Sequence, residues 1–361
     1  MNRRIDQLRS ALDAQQLDGM FIVQPENRRY ISGFTGTSGY VVITADKAFF
    51  ITDFRYVDQA REQCVGYEIV NQGNALLPTL ADLLKRQHVK RLGFEQDFVT
   101  YGDVQRYKTL EEVVPGLSLV PTSGVLELLR IIKDDSEVAS IQRAADIADA
   151  AFTHILGYLR PGLSEKEVAL ELETFMRKQG ASGPSFETIV ASGWRSSLPH
   201  GVASDKVLES GDFVKMDYGA FYEGYCSDIT RTVVLGKPSD KQREVYNVVL
   251  EAQRLALEAA KAGMTGQELD AVARSYIAGK GYGEAFGHSL GHGIGLQIHE
   301  GPRVSSSGSD LLKPQMVITI EPGIYLSQWG GVRIEDDVLL LEGGEKRIFT
   351  HSPKQELISV G

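Results

Sequence analysis

Apolar and polar positions alternate in two different periods along the first part of the chain. A helical period predicts helices over residues 4–14 and 78–86. Short apolar runs rich in branched and aromatic residues predict strands over residues 19–23, 40–44 and 48–52. This mixture is typical of a small α/β domain.

An acid-rich stretch ends this first part. Asp134 or Ser136 can cap a long helix that runs to about residue 159. The chain has 361 residues, which is long for one compact domain. We therefore predict an N-terminal domain of residues 1–133 and a C-terminal domain of residues 134–361.

The second part contains an internal repeat. Residues 162–168 match residues 263–269 at an offset of 101 positions. Each copy encodes a capping box, in which a hydroxyl residue is followed three positions later by a glutamate, and a glycine closes each helix. The pairs are Ser164 with Glu167 and Thr265 with Glu268. Chance likeness of two capped helices is the alternative, but duplication is favoured. It predicts two halves whose sheets lie under four helices, with the site in the cleft between them.

Charge and composition exclude several classes of protein. The formal charge of −10 argues against nucleic acid or an anionic membrane as the main partner. The chain has no run of about 18 apolar residues that could cross a membrane, and no apolar signal-peptide stretch follows the start. We therefore expect a cytoplasmic protein. Cys64 and Cys226 are too few for a disulfide framework or a thiolate metal site. We expect both to be reduced and structural.

Two aspartates lie on neighbouring predicted strands. In residues 213–219, Asp217 points away from the apolar alternate positions, and Asp228 lies within residues 224–234. A hairpin would bring the two carboxylates together, where like charges repel unless a cation lies between them. The alternative is that each acid pairs with a base such as Arg231.

Glycine and histidine are concentrated in residues 286–302. The glycines fit neither a helix nor a strand pattern and would let the backbone approach a ligand closely. One isolated histidine is usually a packed core residue, but four of the seven histidines fall in this segment or at the Pro-His-Gly sequence of residues 199–201. They are His200, His288, His292 and His299.

Two glutamates complete the candidate site, because each follows an apolar strand run. Glu321 has the alternative of a turn residue, and Glu335 has the alternative of a surface edge shared with Asp336 and Asp337. Two Asp, one His and two Glu suit two adjacent divalent ions bridged by carboxylates, and the lack of thiolates disfavours structural zinc. Such a pair can acidify a shared water to hydroxide and polarise a carbonyl, which is what peptide hydrolysis without a covalent intermediate requires.

In order and local context these residues resemble the pita-bread metallopeptidases, which include methionine aminopeptidase, aminopeptidase P and prolidase. The resemblance covers residues from about 134 to the end. It implies an α/β (α+β) fold with a C-terminal pita-bread catalytic domain behind a smaller α/β domain. It also implies two divalent ions, manganese or cobalt favoured over zinc or iron. The implied ligands are Asp217 on one ion, His292 and Glu321 on the other, and Asp228 and Glu335 as bridges.

The resemblance also implies roles around the ions. Glu321 matches a proton-shuttling carboxylate. Arg333 matches an arginine beside the bridging acid, with an ion pair to Asp336 or Asp337 as the alternative. The histidines implied to contact substrate or to stabilise the oxyanion are His200, His288 and His299.

The N-terminal domain narrows the branch of the family. Residues 30–39 resemble a loop of aminopeptidase P, which implies a homodimeric Xaa-Pro peptidase acting on short peptides with proline second, the N-terminal domain of the partner subunit closing the cleft. Arg303 lies where prolidases can bind a dipeptide carboxylate, although a surface ion pair is an equal alternative. We favour the aminopeptidase outcome over the dipeptidase. The alternatives are a methionine aminopeptidase, a non-catalytic peptide-binding module and a metal-free creatinase.

Overall fold

The computed structural model describes residues 3–361, so Met1 and Asn2 of the predicted N-terminal domain lie outside it. The chain divides into two compact units, and the division falls between Arg130 and Ile131. The boundary predicted at residues 133/134 lies three positions further on. No described helix is long and apolar enough to cross a membrane.

The first unit is a mixed sheet with helices packed against it. Its strand order is β4-β3-β2-β1-β5-β6, with β1–β2 and β2–β3 antiparallel and the other pairs parallel. Its strands are β1 (Gly19–Ile22), β2 (Tyr40–Thr44), β3 (Ala48–Thr52), β4 (Glu68–Asn71), β5 (Arg91–Glu95) and β6 (Ser118–Thr122). Its helices are α1 (Arg3–Ala14), α2 (Pro25–Ser32), α3 (Val57–Gln63), α4 (Leu76–Arg86), α5 (Tyr101–Val113) and α6 (Glu127–Arg130).

The elements predicted in this unit are confirmed. β2 and β3 have the predicted bounds, while α1, α4 and β1 differ from theirs by one or two residues. The three predicted strands β1, β2 and β3 are buried on both faces, which explains their continuous apolar runs. Cys64 is a buried free cysteine here, and burial raises the pKa of its thiol to about 11, which disfavours the reactive thiolate.

The second unit consists of two similar halves. Its helices are α7 (Asp135–Leu156), α8 (Glu165–Lys178), α9 (Asp240–Ala259) and α10 (Gly266–Gly279). Its strands are β7 (Gly183–Pro184), β8 (Ile189–Ser192), β9 (Phe213–Tyr218), β10 (Ala220–Tyr222), β11 (Tyr225–Cys226), β12 (Ile229–Leu235), β13 (Gly291–Gly293), β14 (Glu300–Val304), β15 (Val317–Ile320), β16 (Gly323–Leu326), β17 (Gly330–Arg333), β18 (Asp336–Leu340), β19 (Lys346–Ile348) and β20 (Ser359–Val360). Short 3₁₀ turns occur at Gly193–Ser197, Gly283–Ala285 and Glu342–Gly344.

Each half buries its own core between a helix pair and a sheet. In the first half α7 and α8 pack on the sheet β20-β12-β9-β8, and Val214, Met216 and Tyr218 face them. In the second half α9 and α10 pack on the sheet β14-β13-β15-β18-β19. The expected pairing of four helices with two sheets is therefore present.

The backbone repeats the device that the sequence predicts. Ser164 and Thr265 are N-caps of α8 and α10, and each forms a reciprocal capping box with the glutamate three positions on. Gly180 and Gly281 follow the two helix ends with φ of 106° and 86°, the left-handed conformation that glycine adopts without strain. These matching features favour duplication over chance.

The hairpin that carries the first two acids is also present, with one difference. Glu223 and Gly224 have φ of 46° and 83°, as a two-residue hairpin turn requires. The predicted second strand is not continuous, because it divides into β11 and β12 around Ser227 and Asp228. The backbone packs closely at this point, because a Cβ at Gly219 would lie 1.8 Å from the Ser227 carbonyl oxygen.

Candidate metal centre

Carboxylates from both halves of the second unit converge on one buried region. Asp217 lies near the end of β9, and Asp228 precedes β12, which pairs with β9 so that Thr230 lies opposite Asp217. Glu321 follows β15, and Glu335 lies between β17 and β18. Strand ends from the two sheets thus place acids that are far apart in sequence at one site.

Three of the predicted ligands have donor atoms close enough to share one ion. Oxygen or nitrogen atoms of Asp228, His292 and Glu335 all lie within 4.8 Å of one another. Nε2 of His292 is also 3.4 Å from Oε1 of Glu321 and 3.7 Å from Oδ2 of Asp228. Asp228, Glu335 and Glu321 therefore each have an oxygen atom close to the His292 ring.

Two oxygen atoms in this cluster lack any partner. Oδ1 of Asp228 and Oε1 of Glu335 are shielded from solvent and make no hydrogen bond within residues 3–361. Burial raises the pKa of both carboxyl groups well above the ordinary range, and the neighbouring carboxylates raise it further. Buried acids of this kind are stabilised by a cation. The donor set thus fits divalent metal, which prefers carboxylate oxygen with imidazole nitrogen.

The hydrogen bonding of His292 prepares it as a ligand. Nδ1 lies 3.1 Å from the Gly293 carbonyl oxygen, which only accepts, so Nδ1 carries the proton and Nε2 presents its lone pair to the acids. Burial lowers the pKa of His292 to about 4, so the ring is neutral near pH 7.

Buried polar groups orient two of the acids. The main-chain N–H of Asp228 donates to Oδ2 of Asp337 at 2.9 Å, and the Thr230 hydroxyl donates to Oε2 of Glu335 at 2.6 Å. Glu335, Asp336 and Asp337 are at most 1% exposed, so the alternative of a surface edge is wrong.

Asp217 forms an ion pair with Arg333. Nη2 of Arg333 donates to Oδ2 of Asp217, and its Nε is 3.9 Å from Oε2 of Glu321. The alternative of Arg333 pairing with Asp336 or Asp337 is wrong.

Arg231 forms its ion pair with Asp336 and not with Asp217 or Asp228. Its Nη2 lies 2.8 Å from Asp336, which is also bonded to Lys354. The sequence alternative in which Asp217 and Asp228 each pair with a base therefore holds only for Asp217, through Arg333, and Arg231 is not the base.

His288 has both ring nitrogens engaged by the protein. Nδ1 is 2.7 Å from the Ser289 carbonyl oxygen, so it carries the proton, and Nε2 accepts from the Tyr325 hydroxyl at 2.8 Å. Nη1 of Arg333 donates to the same hydroxyl at 2.7 Å. Burial lowers the pKa of His288 to about 3. Tyr325 was missed from the sequence, where its place four positions after Glu321 was the available signal.

The other two histidines approach the same region. The rings of His299 and His292 are 4.5 Å apart and nearly perpendicular. Burial lowers the pKa of His299, and the neighbouring imidazole of His200 lowers it further. Both His200 and His299 are exposed, as groups that meet a substrate must be.

Arg303 lies on the strand next to His292. The two residues are direct partners in the antiparallel pair β13–β14, so their side chains leave the sheet on the same face. Arg303 is exposed. Its guanidinium is thus on the His292 side of the sheet.

Two of the five glycines of residues 286–302 serve a different purpose from the one expected. Gly291 and Gly293 belong to β13, and a Cβ on them would lie 2.0 Å from the Thr319 carbonyl oxygen and 1.9 Å from that of Gly301. They allow strands to approach each other rather than a ligand. The strand bulges between His292 and Gly293, which turns the His292 side chain locally.

Comparison with known proteins agrees with this architecture. The model of metallopeptidase family M24 matches residues 139–342, and the creatinase/prolidase N-terminal domain matches residues 4–132. An Xaa-Pro dipeptidase of Pyrococcus furiosus is 44% identical over 354 residues, covering 96% of this chain and 98% of its own. The solved structure of an Xaa-Pro dipeptidase from Bacillus anthracis is 54% identical, with a TM-score of 0.96 and 99% of each chain covered. That of an X-Pro aminopeptidase from Thermotoga maritima is 41% identical, with a TM-score of 0.90 and 100% of each chain covered.

A duplicated α/β unit around a buried acid and histidine centre is typical of the pita-bread metallopeptidases, and the smaller α/β unit that precedes it here matches the creatinase/prolidase N-terminal domain. The chain belongs to metallopeptidase family M24. The predicted fold class and the predicted family branch are confirmed, and the family is one of enzymes that use divalent metal.

Proposed function

We propose that this protein is a metal-dependent peptidase that hydrolyses the bond between an N-terminal residue and a following proline, with dipeptides as preferred substrates. The observation that carries the proposal is the buried cluster of Asp228, His292 and Glu335, with its two unpartnered oxygens. Relatives named Xaa-Pro dipeptidase that align along nearly the whole chain support the substrate class.

In this proposal the ions are held as the family resemblance implies. Asp217, Asp228, His292, Glu321 and Glu335 would hold the divalent ions. Bound divalent metal would polarise the scissile carbonyl and make water a stronger nucleophile near neutral pH. The bond formed is from water oxygen to the carbonyl carbon, and the proline nitrogen leaves with a proton.

The protein groups around this centre have separate tasks. Glu321 can carry the proton from water to the leaving nitrogen, because it borders the centre and is partly exposed. His200 and His299 can donate hydrogen bonds to the substrate carbonyl as negative charge develops on it. His288 has both ring nitrogens bonded within the protein, so we assign it to holding Tyr325, which in turn accepts from Arg333. Arg333 holds the carboxylate of Asp217.

The dipeptide preference rests on Arg303. A guanidinium binds a free carboxylate through two parallel hydrogen bonds, and Arg303 lies on the same face of the sheet as His292. A proline carboxylate near the centre is available in a dipeptide but not in a longer peptide. This favours the dipeptidase, whereas the sequence favoured the aminopeptidase.

The test is a substrate panel with the manganese-loaded enzyme. Xaa-Pro dipeptides should be cleaved best, their C-terminal amides poorly, and R303A should raise KM for dipeptides by about tenfold or more, as the loss of a charge-assisted hydrogen bond predicts. The control is R243A, which removes a different exposed arginine, located on α9, and should leave KM unchanged.

Three results would contradict parts of the proposal. Equal cleavage of dipeptides and longer Xaa-Pro peptides, with R303A inert, would make this an Xaa-Pro aminopeptidase. Cleavage of Met-Ala peptides with Xaa-Pro peptides left intact would make it a methionine aminopeptidase. Metal-free turnover would remove the metal from the mechanism.

A further inference from the structure

The segment that carries His200 is anchored at both ends by one buried carboxylate. Glu165, in the first turn of α8, is fully buried. It accepts hydrogen bonds from the main-chain N–H groups of Ser192 at 2.7 Å and Ser204 at 3.0 Å. The ends of the loop of residues 192–204 therefore cannot move apart without breaking buried polar contacts.

The centre of this loop is a tight turn whose carbonyl groups point at a lysine. The Gly201 N–H donates to the Leu198 carbonyl oxygen at 3.2 Å and closes the turn around His200. Nζ of Lys215 donates to the Leu198 oxygen at 2.5 Å and to the Pro199 oxygen at 3.2 Å. The amino group of Lys215 thus holds the two carbonyls that immediately precede His200.

Lys215 is an unexpected residue at its position. It lies on β9, on the same face as Asp217, and is fully buried. Burying an ammonium group is costly unless its donors are bonded, and an apolar side chain of similar length would fill the same volume without that cost. The polar contacts that offset the cost are main-chain oxygens of the His200 turn and the face of the Tyr325 ring, whose centroid is 5.0 Å from Nζ.

We propose that Lys215 is a positioning residue that fixes the turn of residues 198–201, so that the exposed His200 imidazole is held facing the metal centre. Packing alone does not require a lysine here, whereas an exposed histidine on a loop requires something to hold it. Arg333 shares the Pro199 oxygen at 3.1 Å, but its other donors serve Asp217, Thr230 and Tyr325. Lys215 is therefore the group whose strong hydrogen bonds go to this turn. The proposal rests on the proposed function where it concerns turnover.

The loop that contains the turn carries its own reporter, because the chain has two tryptophans and one of them, Trp194, lies in this loop. In a W329F background Trp194 is the remaining fluorophore, and it is 45% exposed. Replacing Lys215 with methionine should release the turn and make Trp194 more accessible to acrylamide. K346M is the matched control, because Lys346, on β19, also donates to two main-chain oxygens, those of Glu258 and Ala260.

The kinetic test uses K215M alone and combined with H200A. K215M should lower kcat for an Xaa-Pro dipeptide by about tenfold or more with little change in KM, because small displacements of a reacting group can cost up to about a hundredfold. Its metal content should equal that of the native protein. In the H200A background K215M should have almost no further effect. K215Q, which keeps two N–H donors, should recover part of the loss.

The outcomes separate the two proposals. Equal losses of kcat from K215M with and without His200, or unchanged Trp194 quenching, would overturn the positioning role. If K215M does not fold, K215Q is put through the same comparisons and its outcomes decide in the same way. If no Xaa-Pro peptide is hydrolysed by the native protein, the proposed function fails, while Trp194 quenching in K215M against K346M still decides whether Lys215 holds the turn.

Discussion

At the scale of single residues, hydrogen bonds to carbonyl oxygens determine what each histidine can do. His292 and His288 both donate from Nδ1 to a main-chain oxygen. Nε2 of His292 then faces acids, whereas Nε2 of His288 faces the Tyr325 hydroxyl. The same tautomer therefore suits the first for metal binding and the second for holding a neighbour.

The neutral state of His288 predicts a pH-dependent stability. Its pKa falls from 6.5 to about 3 on folding, so the unfolded chain binds the proton first as pH falls. The stability that the neutral ring contributes is present above pH 6.5 and is lost towards pH 3. In metal-free protein, the free energy of unfolding of the native chain should therefore fall by about 1 to 2 kcal/mol more than that of H288Q between pH 7 and 5.

Urea unfolding of both proteins across this range measures the difference. H351Q is the control, because His351 is an exposed histidine far along the chain, and its curve should follow that of the native protein. Parallel curves for the native chain and H288Q would show that His288 is not neutralised by folding.

At the scale of elements, local sequence signals fix where the helices of the second unit begin. The N-caps Ser164 and Thr265 each accept from the N–H three positions on, and the glutamate there returns a hydrogen bond. Asp134 and Ser239 cap α7 and α9 in the same way. Such signals depend on residues within one turn, so they can be identified without knowledge of the fold.

The duplicated cap predicts matched losses of stability in the two halves. S164A and T265A should each lower the free energy of unfolding by about 1 kcal/mol, because each leaves helix N–H groups without their side-chain acceptor. S140A, in the middle of α7, should be neutral or slightly stabilising since alanine favours helix. Denaturant unfolding measures all three. A loss for one cap and none for the other would show that the two halves do not use the device equally.

At the scale of the whole molecule, the second unit folds around acids that destabilise it in the absence of a cation. Asp228, Glu335 and Asp337 are fully buried, and burial and mutual repulsion raise the pKa of Asp228 and Glu335. The binding of metal therefore contributes to the stability of the fold as well as to chemistry.

Manganese should raise the unfolding temperature of the native protein. Saturation at 100 times the Kd corresponds to about 2.7 kcal/mol for one site. D228N removes one repelling charge, so it should be more stable than the native chain without metal and should gain less on adding manganese. D310N, at an exposed position, should respond to manganese as the native chain does. Calorimetry measures the unfolding temperature, and elemental analysis measures the bound manganese. A full manganese response in D228N would exclude Asp228 as a ligand.

The sequence by itself determined the features that depend on near neighbours. The bounds of β2 and β3, the capping boxes at Ser164 and Thr265, and the left-handed glycines follow from periodicity, side-chain acceptors and the lack of a Cβ. The order and context of the five acid and histidine residues were sufficient to identify the family. No neighbour across a sheet was needed for these predictions.

Only the tertiary structure decided which polar groups are partners. The sequence offered Asp336 or Asp337 as ion-pair partners of Arg333, whereas the β9–β12 and β16–β17 pairings place it against Asp217. The same packing brings Tyr325 to His288 and Lys215 to the His200 turn. The physical reason is that periodicity shows which face a side chain occupies, whereas the distance between two buried polar groups depends on how strands far apart in sequence pack together.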